Sequence, residues 1–423
     1  MKFQALRGTT DLLADDLTRW TALERVVRQL AARYGYQELR TPVIEDTSLF
    51  LRSVGETTDI VQKEMFRFTD RGGHDIVLRP EGTAAIVRAY LEHNLHKTQG
   101  FAKLFYMGPM FRAERPQAGR LRQFHQYGVE AIGSASPWVD VEVITLCLHV
   151  LRECGLRDAT VWLASMGCRD DQARSAEELR TRLEPHKSKL CKECQVRLQK
   201  NVFRVLDCKH PDCHAMAWEM KAFSLCQECT THFQEVRHGL KDVGIAFDDT
   251  AYFARGLDYY TRTVFEVRAK GLGAQDAVAA GGRYDHLVEE LGGPPMGAVG
   301  FAAGIERVLM AMAHGAQPPT TSEHRAGVYL ALAQPTLVGE GVRLIQQLRE
   351  HGVGALMDYD HKSLKAQLRE ADKAGCQFVA ILGEAELAQR ALTVKDLGQG
   401  TQRTVPWEAF VEDMSRQSKA QKA

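Results

Sequence analysis

Between Arg112 and Arg122 the chain sets four arginines, at 112, 115, 120 and 122, against one glutamate. They fall between two strand-like runs, "KLFYMGPMFRAE" and "RQFHQYGVEAIG". Guanidinium forks match phosphate oxygens, and a hairpin would hold them at fixed spacing; a solvated charged hairpin has the same composition. On the return run, alternation puts Phe124, Gln126, Gly128 and Glu130 on one face, so polar groups line a side that should otherwise be core. That mixed wall favours a ligand over a solvated hairpin.

Three other segments carry polar groups in unusual density. "ARGLDYYTRTVFEV" (254–267) reads as a strand whose first half holds Arg255, Asp258, Tyr259 and Tyr260. It is either a strand end with a surface ion pair or the wall of a pocket for a small polar ligand. "RPEGT" (79–83) has the form of a turn into a helix, with Thr83 as its cap. In "AAGGRYDHL", Gly281 and Gly282 suit a turn or a close approach of backbone to ligand. Gly297, Gly300 and Gly304 precede Arg307 in "MGAVGFAAGIERVL", where they allow close strand–helix packing. No G-x-G-x-x-G follows a strand, which excludes a Rossmann reading.

Cys191-x-x-Cys194 and Cys226-x-x-Cys229 are paired knuckles, with Cys208, His210, Cys213 and His214 between them. Such pairs point to a tetrahedral zinc, but their separation exceeds that of common zinc ribbons. The expectation is a structural zinc on Cys191, Cys194, Cys226 and Cys229, or else reduced thiols. No catalytic metal is expected.

The elements that must position these groups follow from periodicity. Leu17, Trp20, Leu23, Val26, Val27, Leu30 and Tyr34 recur every three or four positions, an amphipathic helix ended by Gly35. Strand signals come in hairpin pairs, "EMFRFTD" with "HDIVLRP" and then the arginine hairpin, predicting an antiparallel sheet. "PWVDVEVITLCLHVLRECGL" predicts a helix covering it. The segment 168–245 is cysteine-rich, charged and helical in pattern, like an insertion. "HGAQPPTTSEHRA" has linker composition, and beyond it strand and helix signals alternate as in a small α/β domain. There Lys362, Lys365, Arg369 and Lys373 fall at spacings of three to four along a predicted helix, either a basic stripe or a solvated face paired with Glu370 and Asp372.

At 423 residues, with 44% hydrophobic and 26% charged, the chain is an ordinary multi-domain globular protein. Lys plus Arg and Asp plus Glu balance at 54 each, so net charge identifies no partner. The first residues lack an apolar run of signal-peptide length, and no stretch could span a bilayer; a cytoplasmic protein is expected.

"MFRAERPQAGRLRQFHQYGVE" resembles motif 2 of the class II aminoacyl-tRNA synthetases, "VGFAAGIERVL" resembles motif 3, and the Pro42 region resembles motif 1. Together with "RPEGT", "RGLDYYTRTVFE" and "AAGGRYDHL", the pattern is that of the histidyl-tRNA synthetase family. The resemblance covers essentially the whole chain, including a C-terminal anticodon-binding type of domain. It implies an α+β fold: a class II antiparallel sheet flanked by helices, a largely helical insertion and a C-terminal α/β domain. The implied divisions are 1–167 with 246–318 for the catalytic core, 168–245 for the insertion and 326–423 for the anticodon-binding domain.

The resemblance further implies ATP-dependent activation of L-histidine to its adenylate and transfer to the 3′ end of tRNA(His). ATP would act as substrate with Mg2+, in a homodimer. Arg112 and Arg255 would flank the α-phosphate as catalytic groups, with Arg120 near the triphosphate and Arg307 towards the γ-phosphate. Glu130 and Tyr260 would serve the imidazole nitrogens, with Tyr259 in the wall; Glu81, Gly82, Thr83 and Gln126 would surround the α-amino group, Arg112 and Arg255 reaching the same ligand. Related non-catalytic regulatory subunits of a phosphoribosyltransferase typically lack the C-terminal domain and degrade "RGLDYY"; both are intact here.

Overall fold

The computed structural model describes the chain apart from residues 1–2, 56–57, 118, 207, 221–223, 250–256, 271, 273–275, 316–326 and 421–423. Arg255 therefore lies outside the described residues. The chain divides into two compact units, Met1–Pro319 and Thr320–Ala423.

The first unit is built on a sheet of β1 (Gln37–Glu38), β2 (Ala102–Phe111), β3 (Gln123–Ile132), β4 (Thr160–Ser165), β5 (Phe247–Asp248), β6 (Thr261–Arg268), β7 (Ala277–Arg283) and β8 (Ala298–Gly304). Their order is β1-β2-β3-β8-β7-β6-β4-β5. The six central strands pair antiparallel, and the two-residue edge strands β1 and β5 pair parallel with their neighbours.

Alternation divides each strand between two jobs. Tyr127, Val129 and Ala131 of β3, with Phe265, Val267, Val299 and Phe301 of other strands, enter the main core. Helices Ala14–Arg33, Pro137–Glu153 and Ile305–Gly315 cover that face, contributing residues such as Leu23, Leu30, Ile144 and Val308. The first helix ends as its sequence predicts, at Gly35 with φ +80°, although Leu17 is exposed. Pro137–Glu153 begins on Ser136, whose side chain accepts the Trp138 amide, with Pro137 in the first turn where a missing N–H costs nothing. The residues between those of the core face, Gln126, Gly128 and Glu130, turn to the opposite side.

On that opposite side sit helix Thr83–Glu92 and a small antiparallel sheet of Ile44–Asp46, Phe66–Thr69 and Asp75–Leu78. The "RGG" hairpin is as read from sequence. Arg79 ties this layer to β2 and to the chain before it, donating to the carbonyls of Pro109, Thr41 and Pro42.

The stretch 254–267 is not one strand. β6 starts only at Thr261, and the described residues before it form a turn. Tyr259 and Tyr260 therefore stand at the mouth of the strand, where a turn can present both rings without the alternation a strand would impose.

The segment after β4 is helical, as expected, with its own small core of Leu179, Leu183, Leu198, Val202, Val205 and Ala217. Its last helix, Gln227–Asp242, does something else: Val236 and Leu240 join the main core, and Gly239 packs under Trp138 and Val141. The cysteines also depart from the expected pairing. Cys191 and Cys194 cluster with Cys208 and Cys213, whereas Cys226 and Cys229 cluster with Cys168 and Asp171. A single site on the two C-x-x-C pairs is thus overturned, because the helices carry the two knuckles into different clusters.

The second unit has a five-stranded sheet in the order Ala355–Met357, Val328–Leu332, Phe378–Leu382, Ala391–Asp396, Gln402–Pro406, the first three parallel and the last two antiparallel. Helices Val338–Glu350, Leu364–Lys373 and Trp407–Ala420 accompany it. Lys362 precedes the helix Leu364–Lys373 and pairs with Glu370 and Asp358. The basic stripe therefore loses its first member; Lys365, Arg369 and Lys373 are exposed on the helix.

Candidate active site

Residues of β3, β6, β7 and β8 floor a cleft of about 560 Å³. Glu81, Thr83, Arg112, Arg120, Gln126, Tyr259, Tyr260 and Arg307 all line it, although they come from separate stretches of sequence. Gly82 and Glu130 stand just behind its wall.

Glu130 is fully buried. One carboxylate oxygen accepts the Thr83 hydroxyl at 2.7 Å and the other accepts the Tyr284 hydroxyl. Burial raises its pKa to about 8, against the two hydroxyl bonds that favour the ionised form. Thr83 and Tyr284 both reach the cleft, so Glu130 anchors two lining hydroxyls at once.

Glu81 takes the capping role that the sequence gave to Thr83. Its oxygens accept the amides of Thr83, at 2.7 Å, and Ala84, at 2.9 Å, at the start of helix Thr83–Glu92. This frees the Thr83 hydroxyl for Glu130. Burial nevertheless pushes the Glu81 pKa up.

The side-chain oxygen of Gln126 is buried and has no protein hydrogen-bond partner. A buried amide oxygen costs free energy unless something donates to it. In a cleft, that something is a ligand or water. Tyr259 and Tyr260 are buried with ring centroids 4.9 Å apart, and Tyr259 meets Tyr284 edge-on at 5.8 Å.

Glycines set the shape. A Cβ on Gly82 would lie 2.3 Å from the Tyr106 ring, and one on Gly128 2.5 Å from it. One on Gly300 would lie 1.9 Å from the Glu130 carboxylate. Gly281 and Gly282 do not form a turn: both lie within β7, where a Cβ would strike the Gly300 and Thr263 carbonyls respectively. Gly297 packs on the Ser134 carbonyl.

The other end of the cleft is cationic. Arg112 donates from Nε to the Pro80 carbonyl at 3.0 Å and lies over the Phe124 ring, 5.3 Å from its centroid. Arg120 pairs with Glu114 at 3.2 Å, and Arg112 reaches the same carboxylate at 3.9 Å. Arg307 is held by the carbonyls of Ala277, at 2.7 Å, and Gly119, at 3.5 Å. Burial, then the neighbouring charge of Arg120, lower its pKa. Arg112, Arg120 and Arg307 line this end together, a guanidinium cluster that suits an anion. Arg115 and Arg122 stand apart from the lining; Arg122 donates to the Glu114 carbonyl instead.

Sequence reasoning did not assign Tyr284 or Glu114. Tyr284 was visible as the residue after "GGR", and Glu114 as the lone acid among the loop arginines. Asp258 accepts the Asn201 amide at 3.3 Å, a link to the insertion that sequence could not have given.

The histidyl-tRNA synthetase profile matches residues 8–308, and an anticodon-binding domain profile matches 328–417. The chain belongs to the histidyl-tRNA synthetase family. It is 43% identical to the histidine–tRNA ligase of Halothermothrix orenii over 98% of this chain and 100% of that protein. It is 45% identical to that of Moorella thermoacetica over 96% of each. The crystal structure of apo Staphylococcus aureus histidyl-tRNA synthetase superposes with a TM-score of 0.82 at 34% identity, covering 98% of this chain and all of that one. A Bacillus halodurans structure described as an ATP phosphoribosyltransferase regulatory subunit/histidyl-tRNA synthetase has a TM-score of 0.64 at 21% identity, a likeness of fold alone.

Membership settles the activity. The chain is an aminoacyl-tRNA ligase that activates histidine with ATP and charges tRNA with it. The antiparallel sheet with helices and the C-terminal anticodon-binding domain are those of the family. Among the described residues no helix is long and apolar enough to cross a membrane.

Proposed function

We propose that one cleft carries both half-reactions, with the work divided along its length. The activity is that of the family; the residue roles are our reading. In the first step the histidine carboxylate attacks the α-phosphate and pyrophosphate leaves. Arg112 and Arg255 flank that phosphorus as an electrostatic clamp, while Arg120 and Arg307 take the pyrophosphate end. ATP enters as its Mg2+ complex, which neutralises part of the phosphate charge. In the second step the 3′-hydroxyl of tRNA(His) attacks the acyl carbon and AMP departs.

The observation that carries the division is the cleft itself: buried acceptors, one of them unsatisfied, at one end and a cluster of guanidiniums at the other. The free oxygen of Gln126 accepts from the α-ammonium, with the Glu81 carboxylate and Thr83 beside it. Glu130 has one protein donor on each oxygen, which leaves lone pairs for an imidazole N–H. Tyr260 serves the other nitrogen and Tyr259 completes the wall. A site that hydrogen-bonds both nitrogens rejects other side chains by leaving its own groups unpaired.

The remaining expectations belong to the same reading: a catalytic core of 1–167 with 246–318, an insertion of 168–245, an anticodon-binding domain of 326–423, a homodimer and a cytoplasmic location. The deciding experiment is histidine-dependent exchange of pyrophosphate into ATP. Wild type should exchange with histidine alone. Arg255→Ala should lose exchange while still binding histidine; near-normal turnover would remove Arg255 from its role.

A further inference from the structure

The two cysteine clusters lie outside the chemistry above. In each, the four ligand atoms lie within 4.8 Å of one another. Sγ of Cys191 and Sγ of Cys208 are 3.9 Å apart. A tetrahedral zinc with Zn–S bonds of about 2.3 Å requires sulfur–sulfur edges of about 3.8 Å. All ten cysteines are free thiols, so neither cluster is a disulfide.

The knuckles have the local geometry of ligand loops. The Cys191 amide donates to Sγ of Cys213 at 3.1 Å, the His210 amide to Sγ of Cys208 at 3.4 Å, and the Cys229 amide to Sγ of Cys226 at 3.4 Å. Amides aimed at sulfur stabilise thiolate, the form that binds metal. In the second cluster, Asp171 stands where a fourth cysteine would: Cys168-x-x-Asp171 has the spacing of Cys226-x-x-Cys229. Asp171 is fully buried, accepts the Cys226 amide at 3.0 Å and the Cys168 amide at 3.3 Å, and pairs with Arg174. A carboxylate has about four acceptor sites, so a metal bond remains open to it.

We propose that the insertion holds two closed structural zinc centres, one on Cys191, Cys194, Cys208 and Cys213 and the other on Cys168, Asp171, Cys226 and Cys229. The first stabilises the insertion's small core, whose few apolar residues bury little surface; Cys194 and Cys213 are fully buried within it. The second fastens the insertion to the catalytic sheet. Cys168 lies three residues past the end of β4, and the Gly167 carbonyl accepts the Arg262 amide at 2.8 Å. Gln172, one residue past Asp171, donates to the Tyr260 carbonyl at 2.9 Å. Glu228, inside the other knuckle, pairs with Arg262. The second metal thus braces the turn that presents Tyr260. No ligand position is left open in either tetrad, so neither is catalytic.

The test is metal analysis of the full-length protein purified without chelator, with zinc release followed by a chromophoric chelator as a mercurial reagent titrates the thiols. Wild type should carry about two zinc ions per chain. Cys191→Ser and Cys226→Ser should each retain one. A cobalt-loaded wild type should show sulfur-to-cobalt charge transfer from both a four-thiolate and a three-thiolate site. One zinc per chain overturns the two-centre assignment, and less than about 0.2 overturns both. Two zinc ions that survive both substitutions overturn the ligand sets. Wild-type content and the cobalt spectrum do not depend on any variant folding.

Discussion

Gly300 of β8 and Glu130 of β3 face each other in register, and a single methyl on the glycine would fall 1.9 Å from the glutamate carboxylate. The same methyl would fall 2.4 Å from the Val129 carbonyl oxygen, so both the carboxylate and the neighbouring strand must yield. Gly300→Ala should raise the histidine KM in pyrophosphate exchange at least ~10-fold, equivalent to about 1.4 kcal/mol, with a much smaller change for ATP. An unchanged histidine KM would contradict the anchoring role of Glu130.

Protonation of Glu130 should leave a signature in the free protein. Its folded pKa, about 8, exceeds the ordinary 4.5. Between those values the folded state holds a proton that the unfolded chain releases, so its contribution is fully present below about pH 4.5 and is lost as pH rises towards 8. The slope reaches at most about 1.4 kcal/mol per pH unit. Glu130→Gln should flatten that part of the stability–pH profile, measured by denaturant unfolding across pH 5 to 9. A parallel profile in the variant would assign the titration elsewhere.

The cationic end should respond to nucleotide and not to amino acid. Arg307→Ala removes a guanidinium from a triphosphate site, and charge-assisted contacts of this kind contribute about 1.5–3 kcal/mol. ATP KM should rise roughly 10- to 100-fold while the histidine KM stays within about 3-fold. Arg307→Lys should restore little, because a point charge cannot donate to both the Ala277 carbonyl and a phosphate in the same geometry. An equal rise in both KM values would show a general disruption of the cleft.

Arg283, fully buried, belongs to the scaffold. It holds Asp140 at 2.6 Å and Asp285 at 3.0 Å and donates to the carbonyls of Ser134 and Ser136. Arg283→Met strands the buried Asp140 carboxylate, costing about 3–5 kcal/mol in unfolding free energy. Adding Asp140→Leu should recover much of that loss. A double variant no more stable than the single would show that Asp140 is not the stranded group.

Much of the sheet and cleft was legible because alternation is a local rule. Gln126, Gly128 and Glu130 could be placed on one face from spacing alone, and the first helix could be traced from its period. The failures have a common cause: they depend on partners distant in sequence. Nothing near Glu81 announces that it, and not Thr83, caps the helix, since the preference follows from Glu130 claiming the Thr83 hydroxyl 47 residues away. Gly281 and Gly282 suited a turn or a close approach to ligand, yet they lie within a strand and the carbonyls they accommodate sit on neighbouring strands. The cysteine pairing was misread because the helices carry the two knuckles to different partners, Cys208 and Cys213 for one, Cys168 and Asp171 for the other.

Tyr106 is wedged between Gly82 and Gly128, and that has a consequence for redesign. Neither glycine can gain a side chain while the aromatic ring remains, and cutting the ring back would open a void beneath the amino-acid end. A change of substrate therefore cannot begin with one codon at any of these three positions. Enlarging the pocket calls for a smaller residue at 106 together with a compensating methyl at 82, since one at 128 would still fall 2.5 Å from the Phe301 carbonyl oxygen; neighbouring specificities are thus separated by a valley that stepwise selection crosses poorly and combinatorial libraries can jump.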